Sequence, residues 1–255
     1  MACIPLGRRV GALALLVLAG TACAETGPNT NVTLRMSSSA AVGLSTASAT
    51  GLDISGSNGT LRITRLKLVV DEFQLDRSSN DCVVAGSASC QTFERRLFAL
   101  DVPLGTGSVT IGREAIAPGV YTELEFEVKD LEDEVGNENA SRLAALLAEL
   151  RTQHPDWPAR ASMLIEGTFT PTGGTSRAFR TYFEAEIEIK YALSPSLVVD
   201  ETTSDGVTID LRPDLWFRNV DGTLRDLSLS HYPTTSATVR FEVEFERGVR
   251  IKFDP

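Results

Sequence analysis

Three segments of the chain alternate strictly between apolar and polar side chains, the pattern of a strand with one buried face. They span Val120–Lys129, Phe183–Tyr191 and Thr238–Glu246. The predicted inward residues are Leu124, Phe126 and Val128, then Phe183, Ala185, Ile187 and Ile189, then Val239, Phe241, Val243 and Phe245. The predicted outward residues are Tyr121, Glu123, Glu125 and Glu127, then Glu184, Glu186, Glu188 and Lys190, then Arg240, Glu242, Glu244 and Glu246. If these strands are neighbours, their nine glutamates form an acidic sheet face, which is either a site for a cationic partner or divalent ions or a solvated face. We favour a solvated face that is cross-paired with Arg and Lys from strands such as Arg62–Lys67 or Arg177–Arg180, because alternating Glu is a common way to keep a sheet face soluble.

Shorter apolar segments predict further strands at Asn31–Met36, Leu52–Ser55, Leu61–Leu75, Phe93–Val102 and Ser108–Ile111. Within Leu61–Leu75 the apolar positions change face near Thr64 to Leu66, which predicts a β-bulge. Turn signals separate the segments at Pro118-Gly119, Gly173-Gly174, Asp205-Gly206 and Asp221-Gly222.

One amphipathic helix is predicted from Leu143, Leu146, Leu147 and Leu150, which recur at helical spacing before Pro155. We expect it to cap an end or edge of the sheets. Many short strands with one short helix indicate a mainly β protein, an antiparallel β-sandwich over residues 60–255. Residues 23–59 are rich in Ser, Thr, Ala and Gly, which predicts an N-terminal tether with candidate first strands.

Residues 1–22 have the features of a secretory signal peptide. Arg8 and Arg9 precede the apolar run 10–20, which is too short to span a bilayer, and small residues follow. The sequence Gly20-Thr21-Ala22-Cys23 is similar to the lipobox of bacterial lipoproteins, which implies a lipid anchor on Cys23; Gly20 departs from the usual Leu. The alternative is ordinary cleavage before Glu25. In lipoproteins, Ala24 after the cysteine implies passage to the outer membrane, so we expect an exported protein at the outer membrane, in the periplasm or at the cell surface.

The chain carries a formal charge of −10, which becomes −12 once both arginines leave with the signal. This acidity argues against nucleic-acid partners and against resting on an anionic lipid surface without an anchor. The membrane partner is therefore expected through the N-terminal lipid.

Cys82 and Cys90 form an even pair, since Cys3 leaves with the signal and Cys23 is the candidate lipid site. In an oxidising compartment we expect a disulfide that pins a loop between strands. A zinc site is the weaker interpretation, because two thiols without a nearby His make an incomplete ligand set.

Catalytic and metal-binding patterns are sparse. The two histidines, His154 and His231, cannot supply a three-His zinc site, and no G-x-S-x-G or H-E-x-x-H motif occurs. His154 follows the helix, where a histidine commonly interacts with the dipole. The acidic loops at 130–139 and 200–205 are read as solvated rather than as calcium sites. Trp157 and Trp216 are read as core residues rather than as sugar platforms.

The chain also resembles an uncharacterised family of secreted bacterial lipoproteins over residues 52–245. The segments that carry the resemblance are Leu61-Arg-Ile-Thr-Arg-Leu-Lys-Leu-Val-Val, the Cys82–Cys90 loop, Phe98-Ala-Leu-Asp-Val-Pro-Leu, Ala117-Pro-Gly-Val-Tyr-Thr-Glu-Leu, His154-Pro-Asp-Trp, Ile165-Glu-Gly-Thr-Phe, and Leu193-Ser-Pro-Ser-Leu-Val-Val-Asp running on to Leu215-Trp-Phe-Arg. The resemblance implies a sandwich of immunoglobulin or transthyretin type. It implies no activity and no site residues.

The function expected from these observations is a cell-envelope lipoprotein that acts as a non-catalytic binding or adhesion module for an unknown protein or glycan. The alternatives are a structural or assembly component of the envelope and, less favoured, a polysaccharide-acting hydrolase with a carboxylate pair. No catalytic residue, metal or cofactor is assigned.

Overall fold

A computed structural model describes residues 31–39, 45–48, 51–77, 93–105, 107–129, 131, 139–185, 187–200, 206–241 and 248–254. The chain is mainly β within these residues. The strands are β1 (Asn31–Ser38), β2 (Ser45–Ser48), β3 (Gly51–Gly56), β4 (Gly59–Arg77), β5 (Phe93–Asp101), β6 (Ser108–Ala115), β7 (Gly119–Val128), β8 (Met163–Pro171), β9 (Arg177–Glu184), β10 (Ile187–Val199), β11 (Gly206–Leu211), β12 (Val239–Arg240) and β13 (Val249–Asp254). The helices are α1 (Ala140–Gln153), α2 (Pro213–Trp216) and α3 (Tyr232–Thr235), with a 3-10 turn at Leu227–Ser230.

The strands form two sheets, neither of which closes into a barrel. The first has the order β13-β11-β1-β6. The second has nine strands, with the path β10-β7-β4-β8-β9-β12, and β3 and β5 also pair with β4 while β2 pairs with β3. Most pairs are antiparallel, as predicted, but β1–β11 and β12–β9 are parallel.

Both sheets turn apolar side chains into one shared core, which gives a sandwich-like arrangement. Val32, Leu34 and Met36 of β1 are buried in the same cluster as the inward residues of β4 and β7. The candidate strands of the predicted tether are thus present as β1 and β3, and residues on both sides of the predicted boundary at residue 60 share this core.

The long strand β4 pairs with four other strands of the nine-stranded sheet. Its first half pairs with β3 and β8, and its second half pairs with β5 and β7. The register against β8 shifts between Ile63 and Arg65, which confirms the bulge predicted near Thr64 to Leu66. The bulge changes the inward set from Leu61 and Ile63 to Leu66, Leu68 and Val70, and the set becomes odd-numbered again at Phe73 and Leu75.

The alternation of β7 is broken by one extra residue. Asp76 of β4 lies opposite Glu123, but Arg77 lies opposite Tyr121, so Thr122 is bypassed in the register. Because a bulge moves the following side chains to the other face, Tyr121 is fully buried in the core, and the prediction that it points outward is wrong. Leu124, Phe126 and Val128 are buried as predicted.

The predicted strand Phe183–Tyr191 is two strands, since β9 ends at Glu184 and β10 begins at Ile187. The interruption falls where the neighbouring strand changes from β8 to β7. There the Ser162 hydroxyl oxygen accepts a hydrogen bond of 3.0 Å from the backbone N–H of Ala185, which replaces a strand partner. Phe183 and Ala185 are fully buried, as predicted.

The third alternating segment is described only at its start. Val239 and Arg240 form β12 beside β9, and the Phe241 side chain is buried. The predicted positions 242–246 lie outside the described residues.

The helix α1 confirms the helical prediction, with Leu143, Leu146 and Leu150 buried. It packs with Val69, Leu164 and Tyr182 on the face of the nine-stranded sheet that points away from the shared core. The expectation that it caps an end or edge is therefore wrong, because α1 covers a face. Among the described helices, none has the length and apolarity needed to cross a membrane.

A buried polar cluster lies on the four-stranded sheet around Asp210, whose residue surface is 1 % exposed. Its carboxylate accepts hydrogen bonds from the Ser37 hydroxyl (3.0 Å) and the Ser39 hydroxyl (2.7 Å), and it pairs with Lys252 Nζ at 2.8 Å. Burial acts to raise the pKa of Asp210, but the hydrogen bonds from Lys252, Ser39 and Ser37 outweigh it and hold the pKa below its ordinary value.

Candidate functional site

A cleft of about 500 Å³ opens at the bulge of β4. The strands β3 and β5 pair with the same edge of β4, but β3 ends its pairing at Ile63 and β5 begins at Lys67. The end of α1 lies beside the resulting gap, since Gln153 and His154 line the cleft together with the bulge residues. Four separate parts of the chain therefore build the cleft.

Gly51 is required where β3 borders this cleft. Its φ is +153°, and a Cβ at this position would lie 2.5 Å from the carbonyl oxygen of Ile63. Glycine is the residue that tolerates both the conformation and the close approach.

The exposed lining of the cleft is mostly polar. Leu66 and Val102 are almost fully buried in the shared core, and Leu104 packs against it. The polar groups on the lining are Thr64, Arg65, Asp101, Gln153 and His154. A few convergent polar groups in a concave site commonly fix the orientation of a small ligand.

A buried lysine fixes one side of the rim. Lys67 is 5 % exposed, and its Nζ donates to Asp101 Oδ2 at 2.9 Å and to Gln153 Oε1 at 3.3 Å. Lys67 therefore holds one carboxylate oxygen of Asp101, while the Asp101 side chain remains 61 % exposed to solvent. Because Gln153 uses its oxygen on Lys67, its NH₂ group is the part left for other partners.

An ion-pair network fixes the other side of the rim. Arg65 Nη1 donates to Glu166 Oε2 at 2.8 Å. The other oxygen of Glu166 accepts from Arg180 Nε at 2.9 Å. Arg180 also pairs with Asp156, whose Oδ1 accepts from the Tyr182 hydroxyl at 2.9 Å. The Arg65 side chain is 47 % exposed, so it is oriented by Glu166 and still open to the cleft.

The histidine of the cleft is uncharged near neutral pH. Burial lowers the pKa of His154, and the positive charges of Arg65, Lys67 and Arg180 lower it further against the opposing effect of Glu166. Its ring lies 5.9 Å from the ring of Trp157, and its backbone N–H ends α1 on the Leu150 carbonyl. Because the ring is uncharged, it offers no positive charge to the C-terminal end of the helix dipole. This environment therefore does not favour the predicted interaction of His154 with the dipole.

The other predicted aromatic and histidine residues have structural contacts. Trp157 and Trp216 are each 2 % exposed, which confirms that they are core residues rather than sugar platforms. Trp157 Nε1 donates to the Ala161 carbonyl at 2.9 Å. His231 Nδ1 accepts from the backbone N–H of Arg180 on β9 at 2.9 Å.

The outward glutamates of β7 do lie beside further acids. Glu127 faces Glu72 of β4 directly, and Glu123 faces Asp76. Two groups of carboxylates therefore form, each with oxygens within 4.8 Å of one another. They are Asp71, Glu72 and Glu127, and Asp76, Glu123 and Glu125.

Basic side chains pair with several members of these groups. Lys129 Nζ lies 2.7 Å from Glu127 and 3.6 Å from Asp71. Burial acts to lower the pKa of Lys129, but Glu127 and Asp71 outweigh it and raise the pKa, so the ammonium stays charged. Arg96 pairs with Glu72 at 3.1 Å, and Lys190 pairs with Glu125 at 3.4 Å.

The acidic face is thus cross-paired, as expected of a solvated face, but the partners differ from those predicted. Arg62 pairs with Asp53, and Arg180 belongs to the Glu166 network. The partners were misassigned because strand order, which the alternation does not contain, decides which strands are neighbours.

The residues of the predicted lipid anchor and disulfide, Cys23, Cys82 and Cys90, lie outside the described residues, as do most of the acidic loops. They remain predictions. Sequence reasoning missed Lys67 and Asp101 as a pair. A lysine between Leu66 and Leu68 in an apolar strand is the signal that pointed to a buried cation in need of a partner.

Comparison with protein-family models, with curated proteins and with solved structures finds no match to this chain.

Proposed function

We propose that this protein is a non-catalytic binding or adhesion module of the bacterial cell envelope, exported and held at a membrane by a lipid on Cys23. The observation that carries the binding role is the cleft at the β4 bulge. Its concave shape and its charged rim, which Lys67 and Glu166 orient, support a ligand site.

The contacts of the histidines support a role without catalysis. Within the described part of the chain, His231 Nδ1 is used by a backbone N–H, and the ring of His154 packs by Trp157. Neither arrangement pairs a histidine base with a hydroxyl nucleophile, which acyl-transfer chemistry needs. Glycoside hydrolysis needs two convergent carboxyl groups, and among the described residues that line this cleft Asp101 is the one that carries a carboxylate.

The finer fold assignment, an immunoglobulin or transthyretin type of sandwich, belongs to the proposal. It is supported by two sheets around one core and by Tyr121, whose hydroxyl donates to the Ala117 carbonyl at 2.8 Å. A tyrosine that bonds back to the backbone a few residues upstream is a recurrent feature of immunoglobulin-like sandwiches.

The anchoring part of the proposal is tested by intact mass of the protein extracted from membranes. We expect acyl groups on Cys23 as the first residue, and the loss of two hydrogen atoms for a disulfide between Cys82 and Cys90. Cys23→Ser is the matched control, in which the acyl mass should vanish. Cleavage before Glu25 in the native chain would contradict the anchor, and free thiols at both other cysteines would contradict the disulfide.

The binding part is tested by probing glycan and protein arrays with the extracted protein. We expect a ligand at micromolar concentration and no retention of nucleic acid, because the chain is acidic. The absence of any ligand on either array would count against a binding module. Cross-linking in intact cells that recovered a stoichiometric envelope partner, with no array ligand, would favour the assembly role instead.

A further inference from the structure

The rim of the cleft presents one anionic and one cationic group that are oriented independently. Asp101 is held by Lys67 at 2.9 Å, and Arg65 is held by Glu166 at 2.8 Å. Each contact leaves part of the charged group exposed, with side-chain exposures of 61 % for Asp101 and 47 % for Arg65. Both groups are therefore positioned before a ligand arrives, which lowers the ordering cost of binding.

The strand register places these two groups close together. Lys67 lies directly opposite Asp101 across the β4–β5 pair, and Arg65 precedes Lys67 by two residues on the same face of β4. Arg65 and Asp101 are thus diagonal neighbours, which are typically about 7 Å apart at Cβ. A small ligand is able to meet both charged groups at once.

We propose that the cleft binds a zwitterionic ligand of amino-acid or short-peptide type, with its ammonium group at Asp101 and its carboxylate at Arg65. The proposal deepens the binding function proposed above and rests on it. It names the ligand class that this charged rim would recognise.

The remaining polar groups of the cleft suit the same ligand. His154 is uncharged, so it does not repel an ammonium group and has both a donor and an acceptor nitrogen. The Gln153 amide donors match the carbonyl and carboxylate oxygens of a peptide.

Three other ligand classes fit less well. A saccharide is usually stacked on an aromatic ring, and among the described residues the side chains that line this cleft include no Trp, Tyr or Phe. A phosphate or sulfate would meet the Asp101 carboxylate, which repels it. Calcium would be drawn to Asp101 but would meet Arg65 on the same rim.

The proposal is tested by titrating the full chain with the dipeptide Ala-Leu and following the backbone amide resonances by NMR. We expect saturable shifts confined to the cleft residues 64–66 and 101–104. Blocking the dipeptide as the N-acetyl or as the C-amide form should weaken binding by about 10-fold to 100-fold in each case, because each block removes one charge-assisted contact.

Two variants assign the contacts. Asp101→Asn should lose the preference for a free amine while it keeps the preference for a free carboxylate, and Arg65→Gln should do the opposite. The matched controls are Asp53→Asn and Arg62→Gln, which alter the neighbouring ion pair outside the cleft and should leave both preferences unchanged. A thermal melt of each variant reports whether it is folded, and the comparison of blocked dipeptides needs no variant.

Three results would overturn the inference. They are equal affinity for free and blocked dipeptides, shifts that map elsewhere on the protein, and the absence of any shift at about 10 mM dipeptide. That concentration is high enough to populate even a weak site. A protein that fails this titration but captures another ligand on the arrays would retain the proposed binding function and lose this ligand class. Failure in both experiments would contradict both proposals.

Discussion

The clearest prediction concerns Tyr121, which the sequence placed outward and the fold buries completely. Its hydroxyl donates to the Ala117 carbonyl at 2.8 Å and accepts from Arg77 Nε at 3.2 Å. Arg77 also donates to the Pro118 carbonyl at 2.7 Å, and its guanidinium lies 5.2 Å from the Tyr121 ring. The hydroxyl therefore ties the turn before β7 to the end of β4.

The change Tyr121→Phe removes this hydroxyl and leaves the ring. The phenylalanine ring fills the same space and keeps its face toward Arg77, so no cavity term arises. The loss is one neutral hydrogen bond and one to a charged group whose guanidinium retains the Pro118 contact. We expect the free energy of unfolding to fall by about 2 kcal/mol. For a domain of this size, that corresponds to a decrease in Tm of about 4–8 °C.

The assay is urea unfolding of the full chain at neutral pH, with the midpoint and the m value measured for both proteins. The midpoint should move and the m value should not, because the exposed surface is unchanged. Tyr191→Phe is the matched control, since its residue surface is 42 % exposed, and its cost should stay below about 0.5 kcal/mol. A loss below about 0.5 kcal/mol for Tyr121→Phe would refute the reasoning that this hydroxyl stabilises the turn.

Three further substitutions test the packing and the electrostatics. Gly167→Ala should lower the free energy of unfolding in urea by about 3 kcal/mol, because the new Cβ would lie 1.9 Å from a backbone carbonyl oxygen of β4. In the control Gly107→Ala, the nearest atom to the new Cβ lies at 3.5 Å, so the loss should be less than about 0.5 kcal/mol. Leu150→Ala should cost about 2–5 kcal/mol because the side chain is buried under α1, whereas the half-buried Leu147→Ala should cost clearly less. The ion pair and the serine hydroxyls outweigh burial and lower the pKa of Asp210. The ionised carboxylate therefore stabilises the fold above about pH 4, and this stabilisation is lost as the pH falls. Asp210→Asn should be less stable at pH 7, and its stability should fall less steeply in acid. Equal acid slopes for the two proteins would contradict this assignment.

Periodicity predicted much of the fold because it reports local burial directly. The alternation in Val120–Lys129 and the leucine spacing of α1 each identified a real element and most of its buried side chains. The bulge at Thr64 to Leu66 was visible for the same reason, since an extra residue changes which positions are apolar.

The alternation pattern predicted the wrong sheet face for a side chain where a polar residue shifts the strand register. Thr122 is bypassed in the β4–β7 register, and this buries Tyr121 although the alternation places it outward. The split of Phe183–Tyr191 into two strands was likewise invisible, because the residues on both sides of the break keep the same alternation.

The sequence by itself determined that the chain is mainly β, where most of its apolar faces lie, and that it is acidic. Only the tertiary structure decided the pairing of distant charges. Lys67 and Asp101 are 34 residues apart in the chain and lie opposite each other in register, and Arg65 reaches Glu166 across 101 residues. Local patterns specify which face a side chain takes, whereas strand order and register specify its neighbours, and the cleft exists because two strands end at the same bulge.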